Sequence, residues 1–390
     1  MLMDIFYGGL ELHRKEKILY ARFLKPHQVL STCRVAGGLR TDLDFLYNHQ
    51  GCEPAGHMHS GGRSKAVRDP EGYRQDVCSK NGLPAEACAT LGTAANMHMA
   101  QVEQLSFRDL TVVAVVTGGV EVNAGRAGDP AFGWEGPEGY ESLKPEEESE
   151  SGEPKPGTIN TMLFISRPLT PGALTRTIMT ATEAKCAALQ ELAVNSRYSD
   201  GLATGTGTDQ IAVAAMEIEG SRPLTSAGKH SKLGELIGRT VKAAVKGTLL
   251  RQNGMTPSSQ CSVKIHLERF GLNTESLIVM ISEHLAENEA ALLKKNYRTI
   301  FYDPPTVAAV AALAHLKDKF AWNILPSLVW AEVMGSSAAQ VSAAVSGQYE
   351  KIAEYRRDLA PMVSENSNQH FLTLAARALA LGFKDKWSWF

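Results

Sequence analysis

Residues 203–216 read ATGTGTDQIAVAAM: threonine and glycine alternate, an aspartate closes the run, and an apolar stretch follows. Small hydroxyl-bearing loops often cradle phosphate, but that geometry needs a helix N-terminus directly behind the glycines. The Walker pattern adds a Gly-Lys-Ser/Thr, and the dinucleotide fingerprint needs a strand, three spaced glycines and a helix. Here Gly205 and Gly207 lead instead into IAVAAM, an apolar run with strand character. The loop therefore feeds a buried strand, which argues against nucleotide binding and for a chain that mixes sheets and helices.

The neighbouring segments extend that pattern. TINTMLFIS (158–166) is mostly apolar on both of its period-two faces, as a strand between two layers would be. Thr170 as N-cap and Pro171 at the first helical position open a helix, with Leu174, Ile178, Ala181, Ala188 and Leu192 along its apolar stripe. Glu183, Cys186 and Gln190 form a second, polar line on that helix. Ser231 caps a further helix reaching about residue 250. Upstream, ILYARFL (18–24), QVLSTC (28–33) and LTVVAVVTGGVE (110–121) read as strands. Residues 135–157 are almost free of apolar side chains and crowded with Glu, Pro, Gly and Ser, so a flexible acidic insertion is expected there. From residue 254 to 390 the patterns are helical, without catalytic signatures, and packing or homo-oligomerisation is the default role of that module.

Composition bounds the function. The 390 residues are 44% hydrophobic and 21% charged with net charge −2, which gives no nucleic-acid or membrane-surface footprint. No apolar run reaches the roughly 18 residues a membrane span needs, and the first residues lack a signal-peptide pattern, so a cytoplasmic protein is expected. Six scattered cysteines fit reduced thiols. Cys52, His57 and His59, with Cys78 or Cys88, have the chemistry of a metal site, but without a Cys-x-x-Cys pair a polar glycine-rich loop is the plainer reading, and no metal ligand is assigned.

Three glycine-rich segments carry polar cargo: STCRVAGGLRTD (31–42), VTGGVEVNAGRAGD (116–129) and ATGTGTD (203–209). Each is readable as a tight turn, but three together favour a cleft in which backbone approaches a ligand closely. Candidate ligand-binding residues are Ser31, Thr32, Gly37, Gly38, Thr117, Asn123, Arg126, Asn160, Thr204, Thr206, Thr208 and Lys229.

STCRVAGGLRTDLDFLYNHQ, VTGGVEVNAGRAGD, GTINTMLFISRPLTPGALTRTIMTATEAKCAALQEL, ATGTGTDQIAVA and AGKHSKLGELIG occur in that order. Together, over roughly residues 15–250, they resemble the adenosylcobinamide amidohydrolase family. Gly118 departs from the alanine expected of that family, and the acidic insertion and helical tail look like additions. The resemblance implies an α/β (α+β) fold, with a layered sheet-and-helix amidohydrolase domain over 1–253, for which an αββα sandwich is one arrangement. A helical module would occupy 254–390. It also implies hydrolysis of the amide between the corrin side chain and aminopropanol, giving adenosylcobyric acid and 1-aminopropan-2-ol. Cobalt would enter inside this corrinoid substrate, so no cofactor is expected.

Amide hydrolysis needs a nucleophile, an oxyanion site and a proton for the leaving amine. No Gly-x-Ser-x-Gly elbow or His-Glu-x-x-His helix is present. Glu183 and Asp209 are candidate general bases, and His230 a candidate acid; they are equally readable as a lysine-paired helix residue, a turn cap and an exposed pre-helix residue. The run from GTIN through PLTPGALTR to TGTGTD weakly resembles self-processing aminopeptidases, with Thr158 in the place of the freed N-terminal serine. An N-terminal threonine joins nucleophile and base in one residue, whereas in an uncut chain Thr158 is an internal hydroxyl or a strand-opening residue. A corrinoid carrier or sensor, with His57 or His59 as axial ligand, is the competing class.

Overall fold

The computed structural model describes residues 1–51, 65–66, 68–143, 157–362 and 366–387. The expected metal candidates Cys52, His57 and His59 lie outside these. The chain divides into two compact units, Met1–Met255 and Thr256–Phe390.

The first unit holds the strands. In chain order they are β1 (Leu2–Phe6), β2 (Leu10–Lys15), β3 (Ile18–Phe23), β4 (His27–Ser31), β5 (Gly38–Arg40), β6 (Phe45–Gln50), β7 (Cys88–Thr93), β8 (Gln101–Phe107) and β9 (Leu110–Thr117). They continue with β10 (Ala124–Gly125), β11 (Gly133–Gly136), β12 (Gly139–Ser142), β13 (Asn160–Ile165), β14 (Gly205–Thr206) and β15 (Gln210–Met216). Of the two larger sheets, the first has the order β1-β2-β3-β6-β7 and the second β5-β4-β15-β13-β9-β8, while β10 pairs with β14 and β11 with β12. Among the described residues, α1 (Pro70–Asn81), α2 (Pro171–Glu191) and α3 (Lys232–Asn253) are the longer helices that accompany them.

Period-two patterning decides the layers. Along β13, Met162 and Phe164 face the first sheet and pack with Leu10, Leu12, Leu19 and Ala21. The alternate residues Leu163 and Ile165 face the other way, against Leu174 and Ala181 of α2 and Val241 and Val245 of α3. On the far side of the first sheet, Val77 and Cys78 of α1 pack with Ile18, Tyr47 and Cys88. The unit is thus an αββα sandwich, with a strand buried on both faces at its middle. Burying each such apolar side chain contributes about 1.5–3 kcal/mol.

The caps fall where the sequence places them. Thr170 Oγ1 accepts from Ala173 N at 3.3 Å, and Ser231 Oγ accepts from Gly234 N at 3.1 Å. Helix α3 ends at Gly254 in the left-handed region, φ +63°.

The stretch expected to be flexible from residue 135 onward is ordered at its start. Strands β11 and β12 pair antiparallel, Trp134 opposite Glu141 and Gly136 opposite Gly139. The Gly-Pro-Glu-Gly between them supplies proline at the second turn position and, at Gly139, a φ of +117° that glycine adopts without strain. Composition alone misses such local turn chemistry.

The second unit contains helices and no strand among its described residues. Helices α4 (Pro304–Ala321), α5 (Trp330–Ser346) and α6 (Asn368–Lys386) carry most of its core, including Val310, Met334, Val341, Phe371 and Phe383. Gly382 lets α6 approach α5: a methyl there would meet Val345 Cβ at 2.6 Å. No helix among the described residues is long and apolar enough to cross a membrane.

Candidate active site

The six-stranded sheet gathers the polar segments at one end. Asn160, the first residue of β13, pairs with Thr117, the last of β9, and with Gln210, the first of β15. Ser31, the last residue of β4, pairs with Ala212 of β15 at that same end. The second and third glycine-rich segments are joined outright, Ala124 opposite Thr206 and Gly125 opposite Gly205.

At the centre of this edge lies the Gly157–Thr158 peptide. The Gly157 carbonyl accepts from Asn123 Nδ2 at 2.9 Å and from Thr208 Oγ1 at 3.0 Å. Thr158 Oγ1 lies 2.6 Å from Thr208 Oγ1. Since Thr208 has one proton and gives it to the carbonyl, Thr158 is the donor in that pair. Tyr198 OH donates to Asn123 Oδ1 at 2.8 Å, which fixes the amide with its NH₂ toward Gly157. Burial, and then the charge of Asp129, push the Tyr198 phenol pKa up and keep it a donor. Gly157 has no room for a side chain, because a Cβ there would meet Asn123 Cβ at 2.8 Å.

Asp209 holds the loop in place. Its Oδ1 accepts from Ile159 N at 2.8 Å and Thr206 Oγ1 at 2.6 Å, its Oδ2 from Thr206 N at 3.0 Å, and Lys185 of α2 pairs with Oδ2. Every acceptor direction is directed at the backbone, a hydroxyl or an ammonium. The polar line of α2 seats the loop from the other side: Cys186 Sγ donates to Thr204 O at 3.2 Å and Gln190 Nε2 to Ala203 O at 3.0 Å. Thr204 Oγ1 accepts from Ala127 N at 2.9 Å, and the Arg126 guanidinium donates to Leu202 O at 3.0 Å, tying the second segment to the third.

Behind the edge is a buried amide network. Asn160 Nδ2 donates to Asn48 Oδ1 at 3.0 Å and Asn48 Nδ2 donates to Thr117 Oγ1 at 2.7 Å, linking the two sheets. Thr32 exchanges hydrogen bonds with the Ile211 backbone, its Oγ1 accepting from Ile211 N at 3.0 Å. Gly38 opens β5 with φ +76°, and Gly37 leaves no space for a methyl against Cys33 O.

Glu183, Lys229 and His230 sit apart from this cluster. All three are exposed, Glu183 accepts from Lys229 Nζ at 2.8 Å, and that lysine holds the Glu183 carboxyl below its ordinary pKa. Among the described residues no hydrogen bond joins any of the three to Thr158, Asn123 or Asp209.

Sequence reasoning missed Lys185, Tyr198 and Asn48. Lys185 adjoins Cys186 in the polar line of α2, a signal that was there to read. Tyr198 and Asn48 act from a loop and from the opposite sheet, where spacing carries no signal.

A family model described as adenosylcobinamide amidohydrolase matches residues 3–257. An uncharacterized protein of Methanocaldococcus jannaschii, MJ1613, is 35% identical over 188 residues, which are 48% of this chain and 72% of that one. The crystal structure of the PH0078 protein from Pyrococcus horikoshii OT3 matches 62% of this chain and 83% of its own at 12% identity, with a TM-score of 0.30. The site-bearing unit thus coincides with the matched region. The chain belongs to the adenosylcobinamide amidohydrolase family.

Proposed function

We propose that this chain hydrolyses the amide joining the corrin side chain of adenosylcobinamide to aminopropanol, releasing adenosylcobyric acid and 1-aminopropan-2-ol. The acid product then serves corrinoid salvage, where a new nucleotide loop is built on it. One observation carries the reading of the site: two donors, Asn123 Nδ2 and Thr208 Oγ1, converge on a single carbonyl oxygen beside the Thr158 hydroxyl. Such a pair, fixed before reaction, is what a tetrahedral oxyanion requires, and one donor of this kind typically contributes about 10²–10³ in kcat.

In this reading Thr158 Oγ1 attacks the substrate carbonyl carbon, and its proton moves to Thr208 Oγ1 as Thr208 passes its own to the carbonyl oxygen, which Asn123 Nδ2 also holds. When the C–N bond breaks, that proton passes to the departing amine. Water then releases the acid from Thr158. Lys185 and Asp209 keep the loop rigid, so that little reorganisation is left for the transition state. Ser31, Thr32, Gly37 and Gly38, at the same sheet end, Thr117, Asn160, Arg126, Thr204 and Thr206 shape the edge that the corrinoid meets. The metal of this substrate is cargo.

The test is incubation of the purified chain with adenosylcobinamide, followed by assay for free 1-aminopropan-2-ol. Release in stoichiometric step with a cobyric acid product supports the proposal. Cobinamide that binds and stays intact makes the chain a carrier and overturns it.

A further inference from the structure

The donors that would serve a substrate carbonyl are occupied in the continuous chain by the chain's own Gly157 carbonyl. The residue that follows that carbonyl supplies the hydroxyl. Thr208 Oγ1 bridges the two, 3.0 Å from Gly157 O and 2.6 Å from Thr158 Oγ1. Thr158 and Asn123 are buried, 6% and 7% exposed, while Thr208 is open to solvent. An ordinary strand-opening threonine needs none of this. A peptide carbonyl that simply caps a turn takes one backbone donor, whereas this one takes two side-chain donors, the first of them aimed by a tyrosine.

The geometry points to self-cleavage of the Gly157–Thr158 bond. Thr158 Oγ1 adds to the Gly157 carbonyl carbon, closing a five-membered ring through its own Cβ, Cα and N. Its proton moves to Thr208 Oγ1 as Thr208 passes its own to the carbonyl oxygen, which Asn123 Nδ2 also holds. When the C–N bond breaks, the nitrogen takes up that proton, and Gly157 is left as an ester on Thr158 Oγ1. One water, entering at the open Thr208 side, hydrolyses the ester to a Gly157 carboxylate and a free Thr158 hydroxyl. The net change is one peptide bond and one water converted to a carboxylate and an ammonium.

The consequence deepens the function proposed above and rests on it only in this last step. Departure of Gly157 empties the Asn123–Thr208 donor pair for a substrate amide. The new α-amine of Thr158 then stands next to its own hydroxyl as general base, the arrangement of N-terminal threonine nucleophiles. The requirement for glycine at 157 fits as well. A side chain there would press on Asn123 and displace the donor from the carbonyl.

Intact-mass spectrometry of the purified full chain under denaturing conditions reads this without any corrinoid. The expected result is two polypeptides, one ending at Gly157 and one beginning at Thr158. Thr158→Ser should still cut, Thr158→Ala should stay whole, and Asn123→Ala should cut about 10²–10³-fold more slowly. Hydroxylamine should speed cleavage in Thr158→Ser and leave a hydroxamate on Gly157, which marks the ester. Should a variant fail to fold, circular dichroism shows it, and the two wild-type masses, one ending at Gly157 and one beginning at Thr158, then decide. A wild-type chain that remains intact with and without hydroxylamine overturns the inference, as does equal cleavage in folded Thr158→Ala. A cut chain that leaves adenosylcobinamide untouched refutes the proposed substrate and not the self-cleavage.

Discussion

Two polar groups on the first unit differ in both residue type and setting. Thr158, Asn123, Thr208 and Asp209 sit at the sheet edge, each side chain bonded to at least one fixed partner. Glu183, Lys229 and His230 are exposed, and their one ion pair stands in water. Read as a sequence, both groups hold candidates: Glu183 and Asp209 as bases, His230 as an acid and Thr158 as a nucleophile. Structure separates the two groups by burial and fixed partners. A catalytic constellation needs groups whose orientation is settled before substrate arrives, and burial among fixed partners settles it. Solvated charges on a helix face reorient freely, and salt screens their pairing.

Substitutions sharpen or break this contrast. The largest expected effect belongs to Thr158→Ala, which should lower kcat on adenosylcobinamide on the order of 10⁴-fold or more while corrinoid binding persists. Steady-state kinetics alongside a binding titration check it. Asn123→Ala should cost about 10²–10³ in kcat, with a much smaller change in KM, because the lost donor acts on the transition state.

The same contrast has a pH form. His27 is buried, its Nδ1 bonded to Lys25 O at 2.7 Å and its Nε2 to Tyr7 OH at 3.1 Å, and burial lowers its pKa to about 4. A histidine whose folded pKa lies below its unfolded one contributes stability that is full above pH 6.5 and is lost as pH falls toward 4. The share from His27 is about 3 kcal/mol across that window. It should appear as the difference in slope between wild type and His27→Gln in urea midpoints measured from pH 7 to pH 4.

Asp209→Asn removes the partner of Lys185, whose side chain is only 15% exposed. Loss of about 2–3 kcal/mol in unfolding free energy is expected, below the full cost of stranding a deeply buried charge. Activity should fall with it as the Thr206–Thr208 loop loosens. Glu183→Gln should do least, with the urea midpoint and kcat nearly unchanged. A large loss of activity in that variant, with Asp209→Asn active, would invert the comparison.

Much of the architecture was legible beforehand, for particular reasons. The double-faced apolar run 158–166 marks a strand between two layers, and β13 is that strand. Thr170–Pro171 and Ser231 carry the local chemistry of helix starts, which depends on few distant contacts. The Thr-Gly loop leads into β15, as its β-branched continuation requires. The site was legible only as a set of residue types. That Asp209 meets Lys185, or that Tyr198 turns the amide of Asn123, follows from tertiary placement across residues distant in sequence. Glu183 illustrates the converse. Its helical register is correct, but that register faces solvent, and spacing within one helix cannot say what lies opposite.

The central claim is that the sheet-edge cluster around Thr158 performs amide hydrolysis on a corrinoid side chain. A direct test incubates adenosylcobinamide with wild-type chain and with folded Thr158→Ala in parallel, and quantifies 1-aminopropan-2-ol and cobyric acid product. The account predicts both products from wild type and neither from the variant, which still binds the corrinoid. Intact adenosylcobinamide after long incubation with wild type, or equal release by Thr158→Ala, would contradict it.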